Sequence, residues 1–262
     1  MTADASCVWV YGVAAGDPGP LADDVTGVGG GRVRAVRAAG LTAIVEDVSQ
    51  LEFGAAALRA NLEDLDWLDR AARAHHGVIS AAAGRGPLVP MRLATVYSRD
   101  EGVSGTLRSR AADLREALGR LRARSEWGVK AYTAEPHQPA ADQAPAEGQG
   151  PGAAYLQRRR TQLATRQDSL AAATASARVV HSELERLSVA ARLHPPQSAR
   201  LTGQRATMVL NAAYLVADAR ADEFAVAVTG LTARHQDIRL VLTGPWPAYS
   251  FAGVSDAVTG DG

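Results

Sequence analysis

The glycine run Gly27-Val-Gly-Gly-Gly31 has the clearest chemical capacity in this 262-residue chain, because successive glycine N–H groups can wrap an anion as phosphate-binding loops do. Such a loop has to deliver its anion to a helix N-terminus. The stretch that follows, residues 33–38, is β-like in composition, so the run reads as a turn. A small-ligand or nucleotide-binding enzyme using Gly27 to Gly31 stands as the alternative. His75-His76 brings two imidazoles together, but adjacent helix positions point about 100° apart and do not chelate one ion. His75 falls inside an apolar arc and reads as a hydrogen-bonded core histidine. Glu63, Asp64, Asp66 and Asp69 crowd the start of a helix, where negative charge suits the positive end of the dipole. Arg158-Arg-Arg160 fans around a helix instead of lining one face, and reads as a solvated surface. The single cysteine, Cys7 in Cys7-Val-Trp-Val-Tyr11, reads as a buried, inert thiol. There is no GxSxG, P-loop, HExxH or CxxC. The expectation is a protein without catalytic residues, cofactor or metal.

Charge excludes further classes. Lys+Arg and Asp+Glu are both 28, so nothing draws the whole molecule to nucleic acid or an anionic membrane. No segment approaches the roughly 20 apolar residues of a membrane span, and the N-terminus lacks the basic start and apolar run of a secretion signal. One unpaired cysteine suits a reducing compartment, so the location expected from the residues is the cytoplasm.

The elements that would position these residues are legible from spacing. Residues 7–13 are apolar on both alternating faces, as in a strand inside a sheet, and residues 33–38 and 41–48 flank Ala39-Gly40 like a hairpin. Leu65, Leu68, Ala71, Ala72, His75, Val78 and Ile79 share one helical arc. Residues 88–97 read as one strand, Leu107 to Leu121 as one helix, and Glu126-Trp-Gly-Val-Lys-Ala-Tyr132 as the strand closing the first sheet. The order gives an α+β fold with a ferredoxin-like N-terminal sandwich over residues 1–133. Pro, Gly, Gln and Ala dominate residues 134–152, a flexible linker.

A second, smaller α+β domain is expected over residues 153–251, with a tail at 252–262. It opens with a helix from about 153 to 192 in which Leu156, Leu163, Leu170, Ala177, Leu184 and Ala191 recur every seven residues, stopped by His194-Pro-Pro196. The first half of that helix offers only a narrow leucine stripe, like a seam awaiting a partner. Strands at 206–217 and 237–243 bracket a helix at 222–234. The chain then ends in Thr243-Gly-Pro-Trp-Pro-Ala-Tyr-Ser-Phe251, which holds three of the few aromatics (4 Trp, 6 Tyr, 3 Phe). Trp246, Tyr249 and Phe251 are either a clasp on the protein's own core or anchors for a partner.

Several stretches in order resemble one family, the gas vesicle protein F and L family (GvpF/GvpL). They are Val10-Tyr-Gly12, Asp66-Trp-Leu68 with Ala74-His75, Val89-Pro-Met-Arg-Leu-Ala-Thr-Val96, Glu126-Trp-Gly-Val-Lys130, Ala154-Tyr-Leu156 with Arg158-Arg159, Asn211-Ala-Ala-Tyr-Leu-Val216 and the Thr243 to Phe251 stretch. The family often has Arg-Phe-Gly where this chain has Arg92-Leu-Ala94, a change expected to loosen one packing contact, and Pro-Pro at Pro247-Ala248. The resemblance implies two α+β domains and a non-enzymatic accessory or minor structural role in gas vesicles, the hollow protein-walled compartments that confer buoyancy. It implies binding to the hydrophobic major shell protein and to other gas vesicle accessory proteins, help in nucleating and assembling the wall, and a place at the gas-facing surface. Leu156, Leu163, Leu170, Trp246, Tyr249 and Phe251 are the expected partner-binding residues.

Overall fold

The structure, a computed structural model, describes residues 5–22, 25–134, 151–196 and 206–253. It divides into two compact units, Met1–Glu126 with Pro245–Gly262, and Trp127–Gly244.

The first unit is organised around β1 (Ser6–Ala15), whose eight central residues are all buried. It pairs antiparallel with β3 (Leu41–Ser49), which pairs with β2 (Arg34–Ala38). The β2–β3 turn uses Ala39 and Gly40, both at positive φ (52° and 70°), the two-residue geometry that matches strand twist. On its other edge β1 meets two short strands, β4 (Leu88–Pro90) and β5 (Val96–Tyr97), in place of the single strand expected at 88–97. The gap between them falls opposite Val10 and Tyr11, where β1 also shifts register against β3. Met91 N–H reaches Tyr11 O at 2.8 Å and Val10 N–H reaches Thr95 O at 2.9 Å, and the chain between loops out through Ala94 at φ 66°. The departure at Arg92-Leu-Ala94 is therefore mainly a backbone matter, because glycine occupies that left-handed conformation without strain.

Two short helices, α1 (Gln50–Phe53) and α2 (Ala55–Asn61), follow β3 and deliver Phe53 and Leu58 to the core. The next helix, α3 (Leu65–Ala83), is N-capped by Asp64, which accepts from Asp66 N–H (2.9 Å) and Trp67 N–H (3.3 Å). Its buried line is Trp67, Ala71, His75, Val78, Ile79 and Ala82; Leu65, expected inside, is 78% exposed, because Trp67 takes the inward position of the first turn. The leucine helix expected at 107–121 is two helices, α4 (Asp100–Ser109) and α5 (Ala111–Leu121), broken at Arg110 while the buried spacing continues through both.

The second unit runs β6 (Arg124–Thr133), α6 (Pro151–Leu187), β7 (Ala190–Leu193), β8 (Met208–Ala217), α7 (Ala221–Arg234) and β9 (Ile238–Trp246). Its sheet order β7-β8-β6-β9 and β-α-β-β-α-β sequence are the ferredoxin-like plan. The α+β class thus holds, with two sheets, and the strand read as closing the first sheet instead opens the second. The boundary expected at 133/134 moves to Glu126/Trp127 because β6 bonds to β8 and β9, and Pro245 onward joins the first unit, not a C-terminal domain ending at 251. The linker expected at 134–152 lies outside the described residues from 135 to 150, as does the tail beyond Gly253; Pro151 and Gly152 belong to α6. That helix stops at Leu187, short of His194-Pro-Pro196. Ala191, placed on the helical stripe by its spacing, lies in β7 opposite Tyr214. The core packs Ala173, Ala177, Val180 and Leu184 of α6 with Phe224, Val228 and Leu231 of α7 against β6, β8 and Ile238.

Candidate functional site

The glycine run does wrap an anion, and the anion is the protein's own. Glu46 stands on β3 opposite Trp9, wholly buried. Gly31 N–H donates to its Oε1 at 2.7 Å, Gly29 N–H to Oε2 at 3.3 Å, and the Tyr11 hydroxyl to Oε2 at 2.5 Å. Val28 N–H in turn donates to the Tyr11 oxygen at 2.8 Å. The loop closes on itself through Gly27 N–H to Gly31 O and Gly30 N–H to Gly27 O, both 3.1 Å. Burial first, and then the Glu46 carboxylate, push the Tyr11 hydroxyl well above the ordinary tyrosine range, so it stays a donor. Donors engaged in this way are not open to an external phosphate. That removes the physical basis of the nucleotide-site alternative.

His75 is satisfied on both sides. Trp9 Nε1–H donates to Nδ1 at 2.9 Å, which leaves the proton on Nε2, where it meets Met91 O at 3.1 Å. Burial chiefly lowers its pKa to about 4, with a smaller push from His76, so the ring is neutral. Among the described residues no group of three or more His, Cys, Asp or Glu could hold a metal ion. The Cys7 thiol is buried and raised in pKa by that burial, as an inert core thiol should be. Asp69 bonds Arg73 one turn on at 2.8 Å, on the solvent face.

The C-terminal aromatics form a clasp on α3. The His76 ring meets Trp246 edge-on with centroids 5.3 Å apart and stacks on Tyr249 at 6.2 Å, and the Tyr249 hydroxyl lies 3.3 Å from His76 Nδ1. Ser250 fastens the segment: its N–H and hydroxyl donate to the two oxygens of Glu126 at 2.7 and 2.6 Å. Burial, then the Glu126 charge, push the Tyr249 hydroxyl up to about 12. Phe251 is buried (8% exposed) and so is a core residue and not an anchor open to a partner; Trp246 (43%) and Tyr249 (37%) keep an open face. Sequence reasoning missed His76, Glu126 and Ser250 as the clasp's seat, because those positions are far apart in the chain and carry no local pattern.

On α6 the two halves differ. Every described side chain at positions 155–172 is exposed, and burial begins at Ala173. Leu156, Leu163 and Leu170 are 59%, 50% and 42% exposed, whereas Ala177 and Leu184 on the same seven-residue line are buried. Arg159 and Arg160 are exposed, in keeping with a solvated face. The six expected partner-binding residues fall in two units: the three leucines in the second, the three aromatics in the first.

Fold and surfaces together define a two-sheet α+β protein whose anion-binding loop is turned inward and which carries a line of exposed leucines on α6 and two part-exposed aromatics in the clasp. The sequence matches the family described as gas vesicle synthesis protein GvpL/GvpF over residues 7–253. It is 42% identical over 255 residues to gas vesicle protein L of Streptomyces sp. (strain CB03234), covering 95% of this chain and 93% of that protein. Gas vesicle protein F of the same strain is 27% identical over 258 residues, covering 93% and 98%. Gas vesicle protein F2 of Halobacterium salinarum is 26% identical over 254 residues, covering 95% and 93%. The crystal structure of GvpF from Anabaena sp. PCC7120 superposes with a TM-score of 0.65 at 22% identity, covering 96% and 98% of the two chains, and attests the shared fold. The chain belongs to the GvpL/GvpF family, and its role is associated with gas vesicles. Among the described residues no helix is long and apolar enough to cross a membrane.

Proposed function

We propose that this chain is an accessory or minor structural protein that binds the hydrophobic major shell protein of the gas vesicle and assists nucleation and assembly of the wall. It acts in the cytoplasm before assembly and at the gas-facing surface afterwards, alongside other accessory proteins. The observation that supports this most is the exposed stripe of Leu156, Leu163 and Leu170 on a helix whose continuation is core. Apolar side chains aligned in water on an uncovered helix mark an interaction face, and a very hydrophobic subunit needs such a face to stay soluble until it joins the wall. Trp246 and Tyr249 supply a second, aromatic patch of the kind that anchors partners; Phe251 does not. A tagged chain co-expressed with the major shell protein is expected to capture it, and the Leu156→Ser/Leu163→Ser/Leu170→Ser variant to lose capture while keeping its fold. Capture by that variant at wild-type level overturns the assignment of this face. Nucleotides are expected to leave the melting temperature unchanged, since a specific ligand must stabilise the folded state.

A further inference from the structure

We propose that the exposed half of α6 is a rail for an acidic amphipathic helix of a partner gas vesicle protein, recognised by a line of alternating leucines and arginines. The proposal rests on the reading of this half as a docking face and names the chemistry of what docks.

In the covered half of α6, the residues turned to the core are Ala173, Ala177, Val180, Leu184 and Leu187, at alternating steps of four and three. That alternation is the seam of a helix packed lengthwise on a partner. Continued toward the N-terminus with the same steps, the line passes through Leu170, Arg166, Leu163, Arg159 and Leu156. Every second place that is apolar where the protein's own core covers the seam is arginine where nothing described covers it. All five of these side chains are exposed.

The substitution decides what can lie there. An occupant that covers the leucines also desolvates the arginine stems between them, and a guanidinium taken out of water without a carboxylate is costly. A featureless apolar surface would strand Arg159 and Arg166. A nucleic acid would meet the arginines and leave three leucines without a counterpart. A second copy of this chain would set arginine line against arginine line, because residues 155–170 hold four arginines and one aspartate. The occupant that satisfies both residue types is a helix with apolar side chains at the same alternating steps and glutamate or aspartate every seven residues between them. Arginine suits this work, since its planar fork grips a carboxylate with two bonds while its stem lies on apolar surface.

The test uses the full-length chain and two designed heptad peptides that share one leucine line and differ only in carrying Glu or Lys at the alternate seam position. Fluorescence anisotropy is expected to show the Glu peptide binding at least about ten-fold more tightly than the Lys peptide, with the preference shrinking as salt is raised. In the Arg159→Glu/Arg166→Glu variant the preference is expected to reverse, and in Arg159→Gln/Arg166→Gln, which keeps helix propensity, to vanish. The Leu156→Ser/Leu163→Ser/Leu170→Ser variant is expected to lose both peptides. Equal binding of the two peptides by the wild type, or an unchanged preference in the charge-reversed variant at unchanged helix content, overturns the proposal. So does a wild-type dimer in sedimentation that the leucine variant abolishes, which assigns the rail to a second copy. Shell-protein capture by the same variants separates this proposal from the function it rests on. If the leucine variant loses capture while charge reversal moves neither capture nor peptide preference, the shell-binding reading stands and the rail falls. If the leucine variant captures the shell protein normally while peptide preference follows the arginines, the rail stands and shell binding belongs elsewhere.

Discussion

Replacing Gly27 by alanine is expected to unfold the Glu46 site from within. A Cβ at Gly27 would overlap Oε2 and Cδ of Glu46 and stand 2.5 Å from the Tyr11 oxygen, far inside contact distance. None of these atoms can yield cheaply, because Glu46 is fully buried and held by Gly29, Gly31 and Tyr11. Forcing a methyl into a filled site costs about 1–3 kcal/mol. Dragging the carboxylate off its donors adds about 1.5–3 kcal/mol for a hydrogen bond to a charged group. The sum, roughly 2.5–6 kcal/mol, corresponds to a fall in melting temperature of roughly 8–18 °C at roughly 3 °C per kcal/mol. Gly30 is the control: a methyl added there would meet nothing within 4 Å, and its φ is +76°, so Gly30→Ala carries only the left-handed backbone cost of about 1 kcal/mol. Urea and thermal unfolding followed by tryptophan fluorescence suit the comparison, since Trp9, Trp67 and Trp246 all lie in the unit that holds this site. Equal destabilisation by the two substitutions, or a Gly27→Ala protein as stable as wild type, would refute the view that this loop exists to enclose an internal carboxylate.

Ala94→Gly, which relieves φ 66°, is expected to raise stability by about 0.5–1 kcal/mol once the greater freedom of unfolded glycine is subtracted; a lowered melting temperature contradicts it. His75, lowered from 6.5 to about 4 mainly by burial, binds its proton more readily when unfolded. Its contribution is complete above pH 6.5 and is lost as pH falls toward 4, by about 3 kcal/mol, so wild type and His75→Gln should differ in the slope of stability against pH across that window. Parallel profiles would remove His75 from the acid sensitivity. Glu126→Ala strips both acceptors from Ser250 and is expected to cost about 2 kcal/mol, and to speed chymotrypsin cleavage after Tyr249; unchanged cleavage would mean the aromatic contacts with His76 hold the clasp alone.

What the sequence made legible follows the range of the forces involved. The doubly buried β1, the hairpin at Ala39-Gly40, the core histidine and the leucine line of α6 all announce themselves within a few residues. The misread features depend on distant partners. Nothing in Glu126 to Tyr132 tells which sheet will claim it, and the segment Ala190–Leu193 has helix-favouring composition that pairing with β8 overrides. The break between β4 and β5 is set by how the chain pairs with β1, a strand about eighty residues away. The candidate site was legible where it is a repeat, as with Leu156, Leu163 and Leu170. It was hidden where it depends on tertiary burial, as with Phe251, whose type suits a core and an anchor equally. A signal for the inward-facing loop was present: Glu46 interrupts the apolar run Leu41-Thr-Ala-Ile-Val45 on a strand read as buried, and such a carboxylate needs donors from somewhere.

The exposed half of α6 also carries an energetic consequence. Most helical stability in a protein comes from packing of one face, and the outer half of α6 has no described packing, so it depends on the nucleus supplied by the half anchored in the core. Amides before about residue 172 should therefore open for roughly 1–2 kcal/mol and show about ten-fold protection from hydrogen exchange. Those from Ala173 to Leu187 should follow the unfolding of the unit, with protection above about a thousand-fold. Mass-spectrometric exchange on the free chain resolves the two halves, and uniform slow exchange along α6 would show that the stripe is already covered in solution. A docked helix must add protection to the outer half alone, because the inner half has its partner. Part of the binding energy then goes into ordering the rail, so a substitution that raises helix propensity at an outward position such as Thr161 or Gln162, without touching the Leu–Arg line, should tighten binding by slowing dissociation.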